Sequence, residues 1–240
     1  KDKDPLLTYR NDLDTYNKHR TEAAVLIPHG ICRSAAEPIM IPRNGGFGDH
    51  YAGQYILPDN NGNRLCRIMV EKIDGVFQGM ATYLQDGGGL RSGNNRVTFS
   101  PDGKSLYIGQ TVRGWGKPAE GLQRLTYKGG TPFDLATINI TRDGFRLSFT
   151  QDTPEISADS IQISSATYQS KWTYGNKAEN EKKHKVTEAH QTGARTVEIK
   201  VSDFVPEKVY EIKLPDPKSA DGSKLHNRTF YYTVHKIPAG

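Results

Sequence analysis

Residues 94–108 read Asn-Asn-Arg-Val-Thr-Phe-Ser-Pro-Asp-Gly-Lys-Ser-Leu-Tyr-Ile, and this stretch decides the fold class. Apolar and polar residues alternate on both sides of the Ser100-Pro101-Asp102-Gly103 turn, as they do in the two half-buried strands of a hairpin. Pro, Asp and Gly supply the backbone angles that a tight turn needs. A third alternating run, Leu122 to Tyr127, follows along the chain. The sequence therefore predicts a three-stranded antiparallel meander.

Short strands separated by turns are predicted over the whole chain. The 240 residues include 24 Gly and 13 Pro, and 35% are hydrophobic, which is enough to supply a core. The apolar periodicity is that of strands and not of helices. These features predict an all-β protein.

Residues 21–128 contain strand signals for about two β-propeller blades, since a four-stranded blade takes roughly 40–50 residues. The strands predicted before the meander cover residues 23–27, 39–41, 51–57, 65–72 and 75–84. Residues 1–20 are polar and irregular and are expected to form a connecting loop. Because two blades cannot close a ring, we expect further blades or another chain to complete them.

A change of pattern follows the Gly-rich stretch at residues 128–131, which reads as a linker. In residues 131–240 seven runs alternate as strands do, at 136–140, 144–149, 161–164, 171–174, 196–201, 209–214 and 230–234. Seven strands in about 110 residues are typical of an immunoglobulin-like β-sandwich, and we expect it to fold independently. The charged run Lys177 to Lys185 predicts a solvated loop.

Composition excludes several classes of function. The net charge of +5 comes from Lys and Arg spread along the chain, so no nucleic-acid-binding patch is predicted. No apolar run reaches the length of a membrane helix. Cys32 and Cys66 are too far apart for a CxxC motif, and both a disulfide and two buried thiols remain open. His184, His190 and His226 lie in polar stretches and are expected to be exposed. The chain starts at Lys1 without an initiator Met, which is expected of a processed chain or of part of a longer one.

Residues 21–128 resemble the last blades of soluble glucose and sorbosone dehydrogenase-like propellers, and the whole chain resembles the C-terminal part of large membrane-bound dehydrogenase-like proteins of Bacteroidetes and Planctomycetes. The resemblance implies a six-bladed parent and a periplasmic, outer-membrane-associated or secreted bacterial protein. It also implies pyrroloquinoline quinone in the parent. The segments that carry it are Gly48 to Gln54, Ser92 to Gly103, Gly109 to Gly116, Gly121 to Leu125, Thr131-Pro132-Phe133, Asp143-Gly144-Phe145 and Tyr231-Tyr232-Thr233.

In the quinoproteins that the chain resembles, arginines just before the Ser-Pro-Asp-Gly turn hold the quinone. Gly93 and Asn95 stand at those positions here. Arg and Asn side chains can hydrogen-bond a sugar or a cofactor carboxylate, but Arg96 can equally bind loop carbonyls and Trp115 can anchor the core. The candidate ligand-binding residues are Arg91, Asn94, Asn95, Arg96, Arg113 and Trp115.

Asp59, with Asn60, Asn61 and Asn63, offers oxygen ligands for Ca²⁺, although a hairpin turn needs the same residues. No compact catalytic motif occurs, and we expect the chain by itself not to be catalytic. Together with the resemblance, these observations lead us to expect the C-terminal portion of an exported propeller protein that acts as a binding or assembly module on the cell surface. Its expected partners are the remaining blades, another protein chain or carbohydrate. The alternative function is part of a quinone- or haem-linked sugar or polyol dehydrogenase.

Overall fold

The structure is a computed structural model, and it describes residues 22–91, 93–111, 120–168 and 177–239. Within these residues it is all-β, as predicted, with three antiparallel sheets and one short 3-10 turn at Ala158–Ser160. The strands are β1 (Ile39–Met40), β2 (Tyr55–Pro58), β3 (Arg64–Ile73), β4 (Val76–Asp86), β5 (Asn94–Phe99), β6 (Ser105–Gln110), β7 (Gly121–Thr126), β8 (Leu135–Ile140), β9 (Gly144–Phe149), β10 (Gln162–Tyr168), β11 (Ala178–His184), β12 (Val186–Gly193), β13 (Thr196–Val201), β14 (Lys208–Lys213) and β15 (Thr229–Val234).

The largest sheet has eight strands in the order β1-β2-β3-β4-β15-β14-β10-β11. At its centre β4 pairs with β15, so that Ala81 lies opposite Tyr231 and Gly79 opposite Thr233. This sheet therefore takes strands from both sides of the boundary predicted at residues 128–131. Alternation tells which face of a strand is buried, but it does not tell which strands become neighbours.

A four-stranded sheet, in the order β12-β13-β9-β8, packs against one face of the large sheet. Phe145 on β9 contacts Tyr210 on β14 and Tyr232 on β15, with ring centroids 5.7 and 5.2 Å apart. The core between the sheets also contains Leu147, Val197, Ile199, Ile212 and Phe230. This two-layer core is the largest in the described part of the chain.

The charged residues 177–185 form a strand and not the predicted loop. Residues 178–184 form β11, and β12 begins at Val186. Most side chains of both strands are exposed, so neither strand shows the alternation of buried and exposed residues by which strands are recognised. Both strands are edge strands, where charged residues oppose aggregation through the open edge.

The three-stranded meander is confirmed as β5-β6-β7. The backbone N–H of Gly103 donates to the carbonyl of Ser100 over 2.8 Å and closes the predicted turn. Leu106 and Ile108 on β6 are fully buried and pack against Ile41 and Leu65 of the large sheet. The meander is therefore attached to the large sheet by its own smaller core.

The strand predicted at residues 23–27 is wrong, because these residues form an irregular segment. Val25 and Ile27 pack with Cys66 and Ile68 of β3, and the segment covers the outer face of the large sheet. The backbone N–H of Leu26 donates to Oγ1 of Thr233 over 2.8 Å. A short apolar run thus marked a buried segment correctly but could not establish its backbone conformation.

Candidate functional site

The predicted ligand-binding residues lie around the start of β5, at one end of the three-stranded sheet. Asn94, Asn95 and Arg96 are the first residues of β5, and Arg91 precedes the strand. Arg113 and Trp115 lie outside the described residues. The question for the described four is whether their polar groups converge on a ligand or bind the chain itself.

Asn94 is fully buried and binds the chain itself. Its amide nitrogen donates to the carbonyls of Gly62 and Arg64, each over 3.2 Å. The side-chain oxygen of Asn94 accepts from Nε2 of Gln110 over 3.1 Å. Nε2 of Gln110 also donates to Oε1 of Gln123 over 2.6 Å. Asn94 therefore holds the meander to the turn before β3. Gln110 and Gln123 were missed by sequence reasoning because they lie on different strands and share no motif.

The two arginines point to different partners. Nη1 of Arg91 donates to the carbonyl of Glu120 over 2.9 Å. Arg96 is 65% exposed, its Nε lies 3.1 Å from Oε2 of Glu37, and its Nη1 donates to the carbonyl of Asn95 over 3.1 Å. A quinone with several carboxylates needs cationic donors that converge on it. The described residues do not fit pyrroloquinoline quinone, because each guanidinium group is engaged with a different part of the chain.

Two roles were left open for Asp59, a Ca²⁺ ligand and a hairpin-turn residue. Its hydrogen bonds are those of a turn residue. It is buried, and its carboxylate accepts the backbone N–H groups of Arg33, Ser34 and Asn61 over 3.3, 3.0 and 2.9 Å. Three N–H donors occupy the carboxylate oxygens that a Ca²⁺ ion would have to bind. Asp59 therefore fastens the N-terminal segment to the turn between β2 and β3.

Cys32 and Cys66 are both buried thiols in this structure. Cys66 Sγ lies 3.6 Å from the carbonyl oxygen of Ile31. The hydrogen bond with Cys32, together with burial, raises the pKa of the Cys66 thiol. A protonated, buried thiol is a poor nucleophile, so this pair contributes to packing and not to covalent chemistry.

A buried ion pair, not predicted from the sequence, connects the large sheet to the strand that starts the four-stranded sheet. Arg67 on β3 and Asp134, just before β8, are both fully buried, and Arg67 Nη2 lies 3.1 Å from Asp134 Oδ2. Nη2 also donates to the carbonyl of Leu135 over 2.8 Å, and Nη1 donates to Oε1 of Gln54 over 2.7 Å. Such a pair needs hydrogen bonds to replace the water that both charges lose, and these contacts supply most of them, although Arg67 Nε and Asp134 Oδ1 have no partner among the described residues.

Aromatic and amide side chains complete the surroundings of Asp134. The hydroxyl of Tyr51 and the amide of Asn227 donate to its Oδ2 over 2.6 and 2.9 Å, and the guanidinium carbon of Arg67 lies 3.9 Å from the Tyr51 ring centroid. Burial raises the pKa of the Tyr51 phenol, and burial with the charge of Arg67 lowers the pKa of His50. All these partners come from within the chain, so we assign the cluster a structural role that joins the two sheets.

The outer face of the three-stranded sheet has a composition typical of a binding site. The strand register places Arg96, Gly109 and Leu122 in one row and Thr98, Tyr107 and Arg124 in the next. Leu122 is 71% exposed, the highest value among the large hydrophobic residues of the described chain. Tyr, Leu and two Arg side chains thus share one face of a sheet whose opposite face is buried.

Among the described residues, no helix has both the length and the apolar character needed to cross a lipid bilayer. Comparisons of the chain with models of protein families, with curated proteins and with solved structures find no match.

Proposed function

We propose that this chain is a non-catalytic binding or assembly module of an exported, propeller-containing protein at the bacterial cell surface. The observation that carries the proposal is the outer face of β5-β6-β7, where the exposed side chain of Leu122 lies beside Tyr107, Arg96 and Arg124. Tyr and Arg are the residues that dominate binding energy at protein interfaces, and an apolar side chain between them excludes water.

The proposed partner is another polypeptide, either the remaining blades of the parent or a separate protein. Within the described chain, β5 and β7 each pair on one side only, which leaves both edges of the small sheet available for a further strand. The strand residues of this face include two Arg and no acidic residue, so an acidic partner surface would complement it.

The proposed architecture of the second half is an immunoglobulin-like sandwich. Two observations support it. The first is the strand order, in which β8-β9-β13-β12 faces β15-β14-β10-β11 as strands A-B-E-D face strands G-F-C-C′ in an immunoglobulin-like domain. The second is the side chain of Tyr210. The hydroxyl of Tyr210, near the start of β14, bonds both the N–H and the carbonyl of Val205 over 2.9 Å. This is the tyrosine corner found in such domains. In this proposal β4 extends the sandwich beyond its last strand.

The alternative, a role in a quinone- or haem-linked sugar dehydrogenase, has less support because the polar groups of Arg91, Asn94 and Arg96 are directed to different parts of the chain and do not converge on one ligand. We expect the chain not to oxidise glucose or another aldose when pyrroloquinoline quinone is added. A dye-reduction assay checks this, with a soluble quinoprotein glucose dehydrogenase as the positive control. Quinone-dependent dye reduction above background would favour the alternative.

The binding face is tested by site-specific photocrosslinking in the native host. A photoreactive phenylalanine analogue replaces Leu122, and the matched control carries it at Val205, which is also apolar and 43% exposed. We expect a covalent adduct with another polypeptide from position 122 and none from position 205. Three outcomes would contradict a protein-binding role for this face. They are equal adducts from both positions, adducts with polysaccharide only, and no adduct.

A further inference from the structure

We propose that Glu22, Glu207 and His235 form a binding site for a divalent transition-metal ion, best matched by Zn²⁺. The three residues come from the N-terminal segment, from the turn between β13 and β14, and from the end of β15. One ligand atom of each lies within 4.8 Å of the others. This site is independent of the proposed binding face on β5-β6-β7.

The orientation of the His235 ring determines which nitrogen faces the two carboxylates. Nε2 lies 2.9 Å from the carbonyl oxygen of Ala23. Since a carbonyl oxygen can only accept, Nε2 carries the proton, and in the neutral ring Nδ1 then has a lone pair. A histidine that ligates a metal commonly donates its other N–H to a backbone carbonyl in this way.

Nδ1 of His235 is buried and has no hydrogen-bond partner in the described chain. The side chain is only 8% exposed, and Nδ1 lies 3.9 Å from Oε2 of Glu22 and 4.0 Å from Oε2 of Glu207. Both distances are too long for a hydrogen bond. A buried lone pair facing two carboxylate oxygens is unfavourable, and either a proton on Nδ1 or a metal ion between the three groups would relieve it.

The spacing of the ligand atoms suits an ion after a small movement. Ligand atoms bound to Zn²⁺ at about 2 Å in a tetrahedral site lie roughly 3.3 Å from one another. The side chains of Glu22 and Glu207 are 53% and 65% exposed, so they can close by this amount without disturbing the core. His235 itself is held in place because the backbone N–H groups of His235 and Lys236 donate to Oε1 of Gln78, over 2.9 and 2.8 Å.

The types of ligand indicate the class of metal. An imidazole nitrogen favours Zn²⁺ and its neighbours in the first transition row over Ca²⁺ and Mg²⁺, which prefer oxygen alone. Three protein ligands leave at least one coordination position for water or another molecule. The three ligand residues line a surface groove of about 100 Å³, which Thr167 and Tyr168 also line. Lys208 lines the groove as well, so two carboxylates face one ammonium group and the local charge stays negative.

Glu22 and Glu207 are 185 positions apart along the chain, and Glu207 and His235 are 28 positions apart. No local sequence motif therefore predicts the site. Only the fold brings them together, because β15 carries His235 to the turn that contains Glu207 and the N-terminal segment crosses over both. An ion here would fasten that segment to the large sheet. Because the unfolded chain does not assemble the ligands, binding is expected to stabilise the native state.

The test measures Zn²⁺ binding to the full chain, freed of metal and of any histidine tag, by isothermal titration calorimetry. We expect one high-affinity equivalent and a higher midpoint of thermal unfolding with Zn²⁺. His235→Ala, Glu22→Gln and Glu207→Gln should each weaken binding by at least about tenfold. The matched controls are His190→Ala and Glu155→Gln, which alter exposed residues outside the site and should leave the affinity unchanged.

The two Glu→Gln variants keep the test decisive if His235→Ala folds poorly, since both glutamates are exposed and their replacement is isosteric. Circular dichroism of each variant establishes that it is folded. A second readout is the visible absorption of bound Co²⁺, which should be lost in all three site variants. The proposal is overturned if no high-affinity equivalent binds, if the site variants bind as tightly as the natural sequence, or if the control variants weaken binding equally.

Discussion

At the scale of single residues, burial and not distance decides what an ion pair contributes to stability. Arg146 and Glu198 lie only 2.7 Å apart, but their side chains are 52% and 37% exposed. Arg67 and Asp134 are 3.1 Å apart and fully buried. Water competes with the first pair, whereas removal of one member of the second leaves a charge without water or a counter-ion.

We therefore expect Asp134→Ala to lower the free energy of unfolding by about 3–5 kcal/mol, because Arg67 is left charged in the core. Glu198→Ala, the control at the exposed pair, should cost less than about 1 kcal/mol. Urea unfolding followed by circular dichroism measures both. Equal losses in the two variants would show that burial of the Arg67 pair has no special effect.

The buried thiols and phenols predict a loss of stability at alkaline pH. The pKa of the Cys66 thiol is raised by its hydrogen bond with Cys32 and by burial. An unfolded chain loses this proton above about pH 8.5, the ordinary pKa of cysteine, while the folded chain keeps it. The unfolded state then binds fewer protons than the native state, so the free energy of unfolding falls as the pH rises.

The pKa values of Tyr51 and Tyr232 are raised as well, chiefly by burial. A second decline in stability should therefore begin near pH 10, the ordinary pKa of tyrosine. Urea midpoints at about pH 7, 9 and 10.5 test both steps. In Cys66→Ala the fall of the urea midpoint from about pH 7 to about pH 9 should be smaller. Its fall from about pH 9 to about pH 10.5 should remain. A midpoint that is constant from neutral to alkaline pH would contradict the prediction.

At the scale of strands, the close approach of β3 to β4 depends on a glycine. A Cβ atom added to Gly79 would lie 2.0 Å from the carbonyl oxygen of Met69 on the neighbouring strand. No real Cβ atom tolerates that contact, so the two strands would have to move apart. Gly79 also pairs with Thr233 of β15, and the disturbance would therefore reach the centre of the large sheet.

We expect Gly79→Ala to lower the free energy of unfolding by about 1–3 kcal/mol, the usual effect of overpacking. The control is Gly30→Ala, because an added Cβ meets no atom within 4 Å there. Its effect should stay within about 0.5 kcal/mol. Chemical denaturation of both variants tests the difference, and a neutral Gly79→Ala would mean that the strands can separate without loss.

At the scale of the whole molecule, the two halves of the chain complete each other. The sequence predicts that further blades or another chain complete the first half, and in the structure β15 of the second half lies beside its strand β4. Met69 and Met80 of the first half also belong to the core between the two larger sheets. Whether a further chain binds the module is the separate proposal made for β5-β6-β7.

This arrangement changes what we expect of residues 131–240 on their own. Without the first half, β15 loses its neighbour β4 but keeps β14, and Asp134 loses Arg67. The isolated fragment should unfold at a lower temperature than the full chain, and addition of residues 1–130 as a separate chain should restore part of the loss. Differential scanning calorimetry of the fragment, the mixture and the full chain measures this. A fragment as stable as the full chain would support the independent sandwich that the sequence predicts.

Local features of the sequence were sufficient for many of the strands. The turn at residues 100–103 and the alternation around it predicted β5-β6-β7, and alternation in the second half predicted β8, β9, β13, β14 and β15 close to their observed bounds. Turn chemistry and alternation act between residues a few positions apart, so they can be read directly from the chain. The charged strands β11 and β12 were missed because their exposed side chains carry no such signal.

Only the tertiary structure decided which elements are neighbours and which side chains meet. The pairing of β4 with β15, the ion pair of Arg67 with Asp134 and the cluster around His235 all join residues far apart in the sequence. Such contacts depend on how layers pack and on which charges are buried together. Alternation by itself determined which face of most strands is buried, whereas packing between the layers determined what that face is buried against.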